Sequence, residues 1–166
     1  MEAHPTTDHG TLLATFLDHG RAVEGLAPET LRHRDLYLRT FLAWWGEQHP
    51  GGDPRHASTA DLAAFLVAEA DRGMSAYTRK AQVVALRRFY AWLVTTEQAH
   101  HDPTVHLRAP RVSPGEMPTY SPDQIDQIMN HTGSLTALRG RIRHTIVATL
   151  RFTGMRSGEL RTLRRE

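Results

Sequence analysis

The chain has 166 residues, of which 40% are hydrophobic and 23% are charged, and it contains no cysteine. This length allows one ordinary domain, or one compact domain with part of a second. The composition is typical of a soluble globular protein, and the lack of cysteine excludes disulfides, thiolate zinc sites and thiol nucleophiles. Because no apolar run has the length of a transmembrane helix or the context of a secretory signal, we expect a cytoplasmic protein with no membrane partner.

The net charge of +2 is unevenly distributed along the chain. Residues 1–30 contain five acidic residues and one arginine, whereas residues 131–166 contain eight arginines and two acidic residues. Lys80 is the only lysine, so nearly every cation is an arginine, whose planar guanidinium suits bidentate contact with phosphate. Taken alone, this enrichment indicates nucleic-acid binding no more strongly than it indicates a GC-rich genome.

Apolar residues at helical spacing predict three helices before Gly73. The first has an apolar face made of Leu13, Phe16 and Leu17. The second begins at Pro28, and its apolar stripe is made of Leu31, Leu38, Phe41, Leu42 and Trp45. The third begins at Ser58 and Asp61, which have the spacing of a capping box.

The clearest helix prediction covers about residues 76–96 and follows Ser75. Five apolar side chains share one sector of this helix, namely Val83, Leu86, Phe89, Tyr90 and Leu93. Lys80, Arg87 and Arg88 lie on an adjacent flank, outside that stripe. Because no alternating β pattern precedes His101, the four helices predict an all-α bundle.

Four prolines mark a change after the fourth helix, namely Pro103, Pro110, Pro114 and Pro118. Prolines at this density break helices and stiffen a linker, so we expect a helical domain over residues 1–100, a linker over 101–118 and a second segment over 119–166. In that segment Ser121 caps one helix, and Gly154 ends another that begins at about residue 138. The inward face of the latter is expected to carry Ile142, Ile146, Val147 and Leu150.

The most informative run is Thr153-Gly154-Met155-Arg156-Ser157-Gly158-Glu159-Leu160. An apolar helix ends at Gly154 and Arg156 begins the next, so its guanidinium lies beside a positive helix N-terminus, where phosphate is favoured. Glu159 either holds that guanidinium in one rotamer or favours the start of the helix. For these eight residues alone, an ordinary exposed arginine near a helix cap is the simpler interpretation.

These eight residues closely resemble the Thr-Gly-hydrophobic-Arg-x-x-Glu-Leu box of the tyrosine recombinases, the phage-integrase and Xer-like family. The resemblance covers nearly the whole chain. The first helices of the family's core-binding domain resemble Gly25-Leu26-Ala27-Pro28, Thr30, Leu38, Phe41 and Trp44. Its last long helix and linker resemble Ser75, Leu86-Arg87, Phe89-Tyr90, Trp92-Leu93, Asp102-Pro103-Thr104, Arg108-Ala109-Pro110 and Pro118. Arg34 departs from the pattern, because the family usually has an aromatic residue there.

The resemblance implies an all-α fold, with a SAM-like four-helix core-binding bundle followed by the first helices of a truncated recombinase catalytic domain. In the family the two domains hold duplex DNA between them, and a tyrosine attacks the scissile phosphate without a metal or any other cofactor. Arg156 matches the first catalytic arginine, which holds the scissile phosphate, and Glu159 matches a supporting acid. The four tyrosines all precede Arg156, whereas the family's nucleophile follows it, so the chain is expected to be inactive alone.

In the family the long fourth helix faces the DNA groove. The matching DNA-binding residues here are expected to be Arg79, Lys80, Arg87 and Arg88, in contact with phosphates and bases. The expected partners are double-stranded DNA and other recombinase subunits on it, with no small-molecule substrate. The histidines are too irregularly spaced for zinc, so no metal site is expected.

The expected function is duplex DNA binding in site-specific recombination or integration. Two alternatives stay open: a non-catalytic DNA-binding regulator that occupies a recombination site, and a helical protein-interaction module whose arginines only solubilise it. The apolar face of the helix over about residues 138–152 is expected to be exposed, because the strands that would cover it are missing. We expect this face to make the segment unstable or prone to aggregation.

Overall fold

The computed structural model describes residues 9–112 and 119–163, and every regular element within those ranges is helical. The α-helices are α1 (His9–Ala22), α2 (Pro28–Gln48), α3 (Thr59–Asp71), α4 (Ala76–Thr95), α5 (Pro122–Gly133), α6 (Leu138–Thr153) and α7 (Ser157–Thr162), and a single 3₁₀ turn covers Pro54–His56. The chain divides into two compact units, residues 1–113 and 114–166. Within the described ranges, no helix has both the length and the apolar character needed to cross a membrane.

Aromatic side chains from all four helices form the core of the first unit. Phe41 of α2 lies edge-on to Phe65 of α3, with ring centroids 5.4 Å apart, and to Tyr90 of α4 at 6.4 Å. Phe16 of α1 contacts Phe89 edge-on at 5.4 Å. The five residues predicted for the inward face of α4 are all buried, and Gln82, Ala85 and Trp92 are buried beside them. The predicted helical bundle is therefore confirmed.

Local capping explains where these helices begin. Pro28 occupies the first turn of α2, where a missing backbone N–H costs no hydrogen bond. At α3, the Asp61 N–H donates to Ser58 Oγ over 3.2 Å, and Asp61 Oδ2 accepts from the Ser58 N–H over 2.8 Å. The predicted capping box is therefore present. Ser75 caps α4 by accepting from the Thr78 N–H over 3.1 Å.

The capping box makes part of the stability of α3 dependent on pH. The backbone N–H of Ser58, followed by its hydroxyl, lowers the pKa of Asp61. A carboxyl whose pKa is lower in the folded state binds fewer protons there, so its contribution is present above its unfolded pKa of about 3.9 and is lost as the pH falls further. We expect Asp61→Ala to reduce the free energy of unfolding by about 1 kcal/mol at neutral pH and by less near pH 3. Urea titrations at the two pH values measure this difference. Asp71→Ala, at the far end of α3, is the control, and an equal loss at both pH values for Asp61→Ala would contradict the account.

The segment after α4 packs against the helical core of the first unit. Ala99, Thr104 and Leu107 are buried, with 8%, 2% and 4% of their surface exposed. The proline density assigns residues 101–118 to a linker, yet the part up to Ala109 lies against the core, and residues 113–118 are outside the described ranges. We call residues 102–108 the strap. The division at residue 100 stays a prediction, whereas contacts divide the chain after Ser113.

In the second unit, α6 packs against α5 through one side only. Gly140 is buried where an added Cβ would lie 2.2 Å from the Leu135 Cβ, and His144 Nδ1 lies 3.0 Å from Thr132 Oγ1. Ile142 and Ile146 are instead 51% and 40% exposed. Their predicted inward orientation is therefore wrong, because their stripe lies about 160° around the helix from Gly140 and His144. The expectation of an exposed apolar face on this helix is confirmed.

Because Ile142 and Ile146 are exposed, polar replacements should be tolerated. We expect Ile142→Gln/Ile146→Gln to change the free energy of opening of α6 by no more than about 0.5 kcal/mol, and to reduce light scattering at high protein concentration. Hydrogen exchange of the α6 amides measures the first quantity. Val147→Gln, at a half-buried position of the same helix, is the matched comparison. In this variant α6 should open more easily than in the double isoleucine variant. Faster exchange in the double variant than in Val147→Gln would show that the isoleucines are covered.

Candidate nucleic-acid interface

Helix α4 is the most positively charged element of the first unit. Its twenty residues include Arg79, Lys80, Arg87 and Arg88 and no acidic residue. The α2 sequence differs, because its three arginines are accompanied by Glu29, Asp35 and Glu47. A cation without an acidic neighbour keeps its full attraction for an anionic ligand, so α4 is the first place to look for a phosphate-binding surface.

Most cations elsewhere in the described part of the first unit are neutralised by nearby carboxylates. The pairs and their N–O distances are Arg21–Asp18 at 2.6 Å, Arg32–Glu29 at 2.5 Å, Arg34–Glu24 at 3.3 Å, Arg39–Asp35 at 2.8 Å, Arg55–Asp53 at 2.5 Å and Arg72–Glu69 at 2.9 Å. Lys80 and Arg88 are both exposed, and neither makes an ion pair with any residue in the described ranges. These two side chains are therefore available to an external anion.

Lys80 and Arg88 line a groove of about 620 Å³ between α2 and α4. From α2, the groove is lined by Thr30, His33, Arg34 and Tyr37. From α4, it is lined by Tyr77, Lys80, Ala81, Val84, Ala85 and Arg88. Tyr77 and Val84 are 74% and 52% exposed. The groove therefore combines unpaired cations with aromatic and apolar surface, which suits contacts to phosphates and to base edges. Sequence reasoning identified the cations but missed the α2 wall, because only packing brings that wall beside α4.

The other two α4 arginines already bind main-chain carbonyl groups. Arg79 Nε donates to the Met74 carbonyl over 3.2 Å, in the turn that precedes α4. Arg87 Nη2 donates to the Leu107 carbonyl over 2.8 Å, in the strap. The four predicted DNA-binding residues thus share one helix but differ in their environment. Each guanidinium retains further N–H donors, since arginine has five.

Arg34 packs against an aromatic ring of the first unit. Its guanidinium carbon lies 5.7 Å from the centroid of the Phe16 ring, and only 13% of its side chain is exposed. Glu24 accepts from Arg34 Nη1 over 3.3 Å and supplies the countercharge. A planar guanidinium can stack on a ring as an aromatic side chain does, which explains how this residue fits where the resembling family has an aromatic one.

In the second unit, Arg156 lies between two helices as the sequence predicts. Gly154 ends α6 with a left-handed φ of 64°, a conformation that glycine adopts without strain. Glu159 Oε2 accepts from the Arg156 N–H over 2.8 Å, and Glu159 Oε1 lies 3.5 Å from Arg156 Nη1. Glu159 therefore stabilises the start of α7 and also contacts the guanidinium, whose side chain is 89% exposed. The role of both residues in catalysis stays a prediction.

Two of the tyrosines occupy very different environments. Tyr90 is fully buried, its hydroxyl donates to the Pro54 carbonyl over 2.8 Å, and burial raises its pKa far above the usual range. Its predicted place in the core is confirmed, and a hydroxyl held in this way is not an accessible nucleophile. Tyr77 instead lies exposed in the groove. In the ranges that the structure describes, no three His, Asp or Glu side chains are grouped as metal ligands.

Residues 13–97, which span most of α1 and all of α2 to α4, match the family described as "Phage integrase, N-terminal SAM-like domain". The chain belongs to this family. Its membership confirms the resemblance on which the sequence interpretation rests. The helical architecture of the first unit is that of the SAM-like domain of phage integrases.

Curated relatives of this phage integrase family member extend the similarity beyond the first unit. Tyrosine recombinase XerD of Listeria monocytogenes is 24% identical over 153 residues, which cover 92% of this chain and 51% of that protein. The putative integrase/recombinase y4rF of Sinorhizobium fredii is 29% identical over 92% of this chain and 36% of its own length. Tyrosine recombinase XerC of Xylella fastidiosa is 38% identical over 52% of this chain and 29% of its own length. The chain thus spans about half, or less, of the length of these relatives, and no solved structure matches it.

Proposed function

We propose that this chain binds duplex DNA through the unpaired cations of α4, as part of site-specific recombination or integration. The observation that carries the proposal is the presence of two exposed, unpaired cations, Lys80 and Arg88, in the groove between α2 and α4. Relatives that are named recombinases and integrases support the same assignment. In this proposal the first unit is the core-binding domain, and the second unit belongs to a catalytic domain.

The chemistry of the groove favours contact with a phosphate backbone. Each cation that neutralises a DNA phosphate releases condensed counterions, and this release supplies much of the affinity of DNA-binding proteins. The cations paired with carboxylates on α1 and α2 would have to break an ion pair first, so they contribute less. Tyr77 and Val84 supply apolar surface beside the cations, which suits contact with a base edge such as the thymine methyl group.

For the second unit we propose that Arg156 holds the non-bridging oxygens of the scissile phosphate and that Glu159 supports it. Glu159 contacts both the backbone and the guanidinium of Arg156, so it limits the rotamers of an otherwise exposed side chain. A preorganised cationic donor stabilises a transition state in which negative charge grows on phosphate oxygens. Other recombinase subunits on the same DNA are the protein partners that this function implies.

Fluorescence anisotropy of a labelled duplex, titrated with the protein at several salt concentrations, tests the proposal. We expect the logarithm of the association constant to fall linearly with the logarithm of the salt concentration, with a slope of about −0.9 for each phosphate contact. Binding should be reduced by unlabelled duplex competitor. Lack of binding at the lowest salt concentration would contradict the proposal and favour the protein-interaction module instead.

A further inference from the structure

The strap is fixed to the helical core by two hydrogen bonds to its carbonyl groups. Thr59 Oγ1, at the start of α3, donates to the Pro103 carbonyl over 2.7 Å. Arg87 Nη2, on α4, donates to the Leu107 carbonyl over 2.8 Å. Residues 103 and 107 are thus held by different helices, so the path of the chain between them is determined at both ends.

The strap also stabilises its own conformation. Asp102 Oδ1 accepts from the Thr104 N–H over 2.7 Å and from the Thr104 hydroxyl over 2.6 Å. The Leu107 N–H donates to the Thr104 carbonyl over 3.0 Å, and both side chains are buried. The Asp102 carboxylate caps the turn, and the side chains of Thr104 and Leu107 are buried against the core. Together these contacts restrict the segment to one conformation.

Arg108 follows the last anchor directly. It is exposed and makes no ion pair within residues 9–112 or 119–163. Its Cα lies about 3.8 Å from that of Leu107, the residue whose carbonyl Arg87 holds. The strap and α4 also line a second groove, of about 490 Å³, which shares Val84 and Arg88 with the first groove. Arg108 therefore extends from a segment that borders the candidate DNA surface.

We propose that Arg108 is a further phosphate-binding residue and that Arg87 is the positioning residue that orients it. The inference rests on the proposed DNA-binding function and deepens it. Arg87 acts through the Leu107 carbonyl, so its guanidinium contributes to DNA affinity through Arg108. Without that donor the end of the strap at Leu107 and Arg108 would be held less firmly, and ordering it would oppose the contact between Arg108 and phosphate.

A double-mutant cycle on duplex affinity tests this coupling. We expect Arg108→Ala to weaken binding about eightfold at about 0.1 M salt and to make the salt slope less steep by about 0.9, as for one lost phosphate contact. Arg87→Ala should weaken binding several-fold in the wild-type background but hardly at all in the Arg108→Ala background. Additive losses, with each variant lowering the salt slope, would show that Arg87 binds phosphate itself and would overturn the positioning role. An Arg108→Ala variant with wild-type affinity would overturn the inference as a whole.

Arg111→Ala supplies the matched control, because Arg111 is also an exposed arginine and lies beyond the strap. The losses of duplex-binding free energy caused by Arg87→Ala and by Arg111→Ala should be additive in the double variant. Hydrogen exchange gives an independent readout: the Leu107 amide should exchange faster in Arg87→Ala, while the amides of α1 stay as protected as in the wild type. Unchanged exchange at Leu107 would overturn the positioning role. If Lys80→Ala/Arg88→Ala weakens binding but Arg87→Ala and Arg108→Ala show no coupling, the proposed function stands and this inference fails. A wild-type protein that does not bind duplex overturns both.

Discussion

Replacing Lys80 and Arg88 together with alanine should weaken duplex binding about 60-fold at about 0.1 M salt. The two side chains are the unpaired cations of the α2–α4 groove, and each lost phosphate contact removes a factor of about eight at this salt concentration. The slope of the logarithm of affinity against the logarithm of salt concentration should become less steep by about 1.8. Fluorescence anisotropy of a labelled duplex at several salt concentrations measures both quantities.

The matched control removes two arginines that are already neutralised. Arg32 and Arg39 lie on α2, where Glu29 and Asp35 hold them at 2.5 and 2.8 Å. Arg32→Ala/Arg39→Ala lowers the net charge by the same amount, yet it should leave the salt slope unchanged, because both guanidinium groups are already bound to carboxylates and make no phosphate contact in this account. Equal losses in the two double variants would mean that DNA affinity follows net charge and not the groove.

Phe41→Ala should reduce the free energy of unfolding of the first unit by about 3–5 kcal/mol. Phe41 is completely buried, and its ring lies within 6.4 Å of the rings of Trp44, Trp45, Phe65 and Tyr90. Truncation removes contacts among α2, α3 and α4 at once and leaves a cavity that surrounding rings fill only partly.

Tryptophan fluorescence during urea unfolding measures this loss, because all three tryptophans, Trp44, Trp45 and Trp92, lie in the first unit. Leu36→Ala, also on α2 but 52% exposed, is the control and should change the free energy of unfolding by no more than about 0.5 kcal/mol. If Phe41→Ala cost less than the control, the four-helix core described here would be wrong.

Local signals explain why so much of the first unit could be predicted from the sequence. The starts of α2 and α3 depend on Pro28 and on the Ser58–Asp61 capping box, whose partners are within four residues. The inward face of α4 follows from the helical period alone. Gln82 shows the limit of this reasoning, because it is polar and yet 2% exposed, and its amide donates to Glu69 of α3 over 2.5 Å.

Contacts between residues distant in sequence explain what could not be predicted. Arg87 binds a carbonyl twenty residues away, so no local pattern separates it from Lys80 and Arg88. The proline-rich segment has the composition of a linker, yet Thr104 and Leu107 find buried positions against the core. In α6 the periodicity correctly groups Ile142 with Ile146, but the side that contacts α5 carries His144 and not the isoleucines.

The most direct test of the central claim is to ask whether duplex DNA covers the α2–α4 groove. Since the chain has no cysteine, a single cysteine can be introduced at either of two exposed valines, Val84 in the groove and Val67 on α3. These valines are 52% and 60% exposed, so their cysteine variants should react with a maleimide at similar rates in the free protein. With saturating duplex, we expect the reaction of Val84→Cys to slow at least tenfold and that of Val67→Cys to stay unchanged. Protection of Val67→Cys alone, or of neither cysteine while the protein is bound to duplex, would contradict the assignment of this groove as the DNA interface.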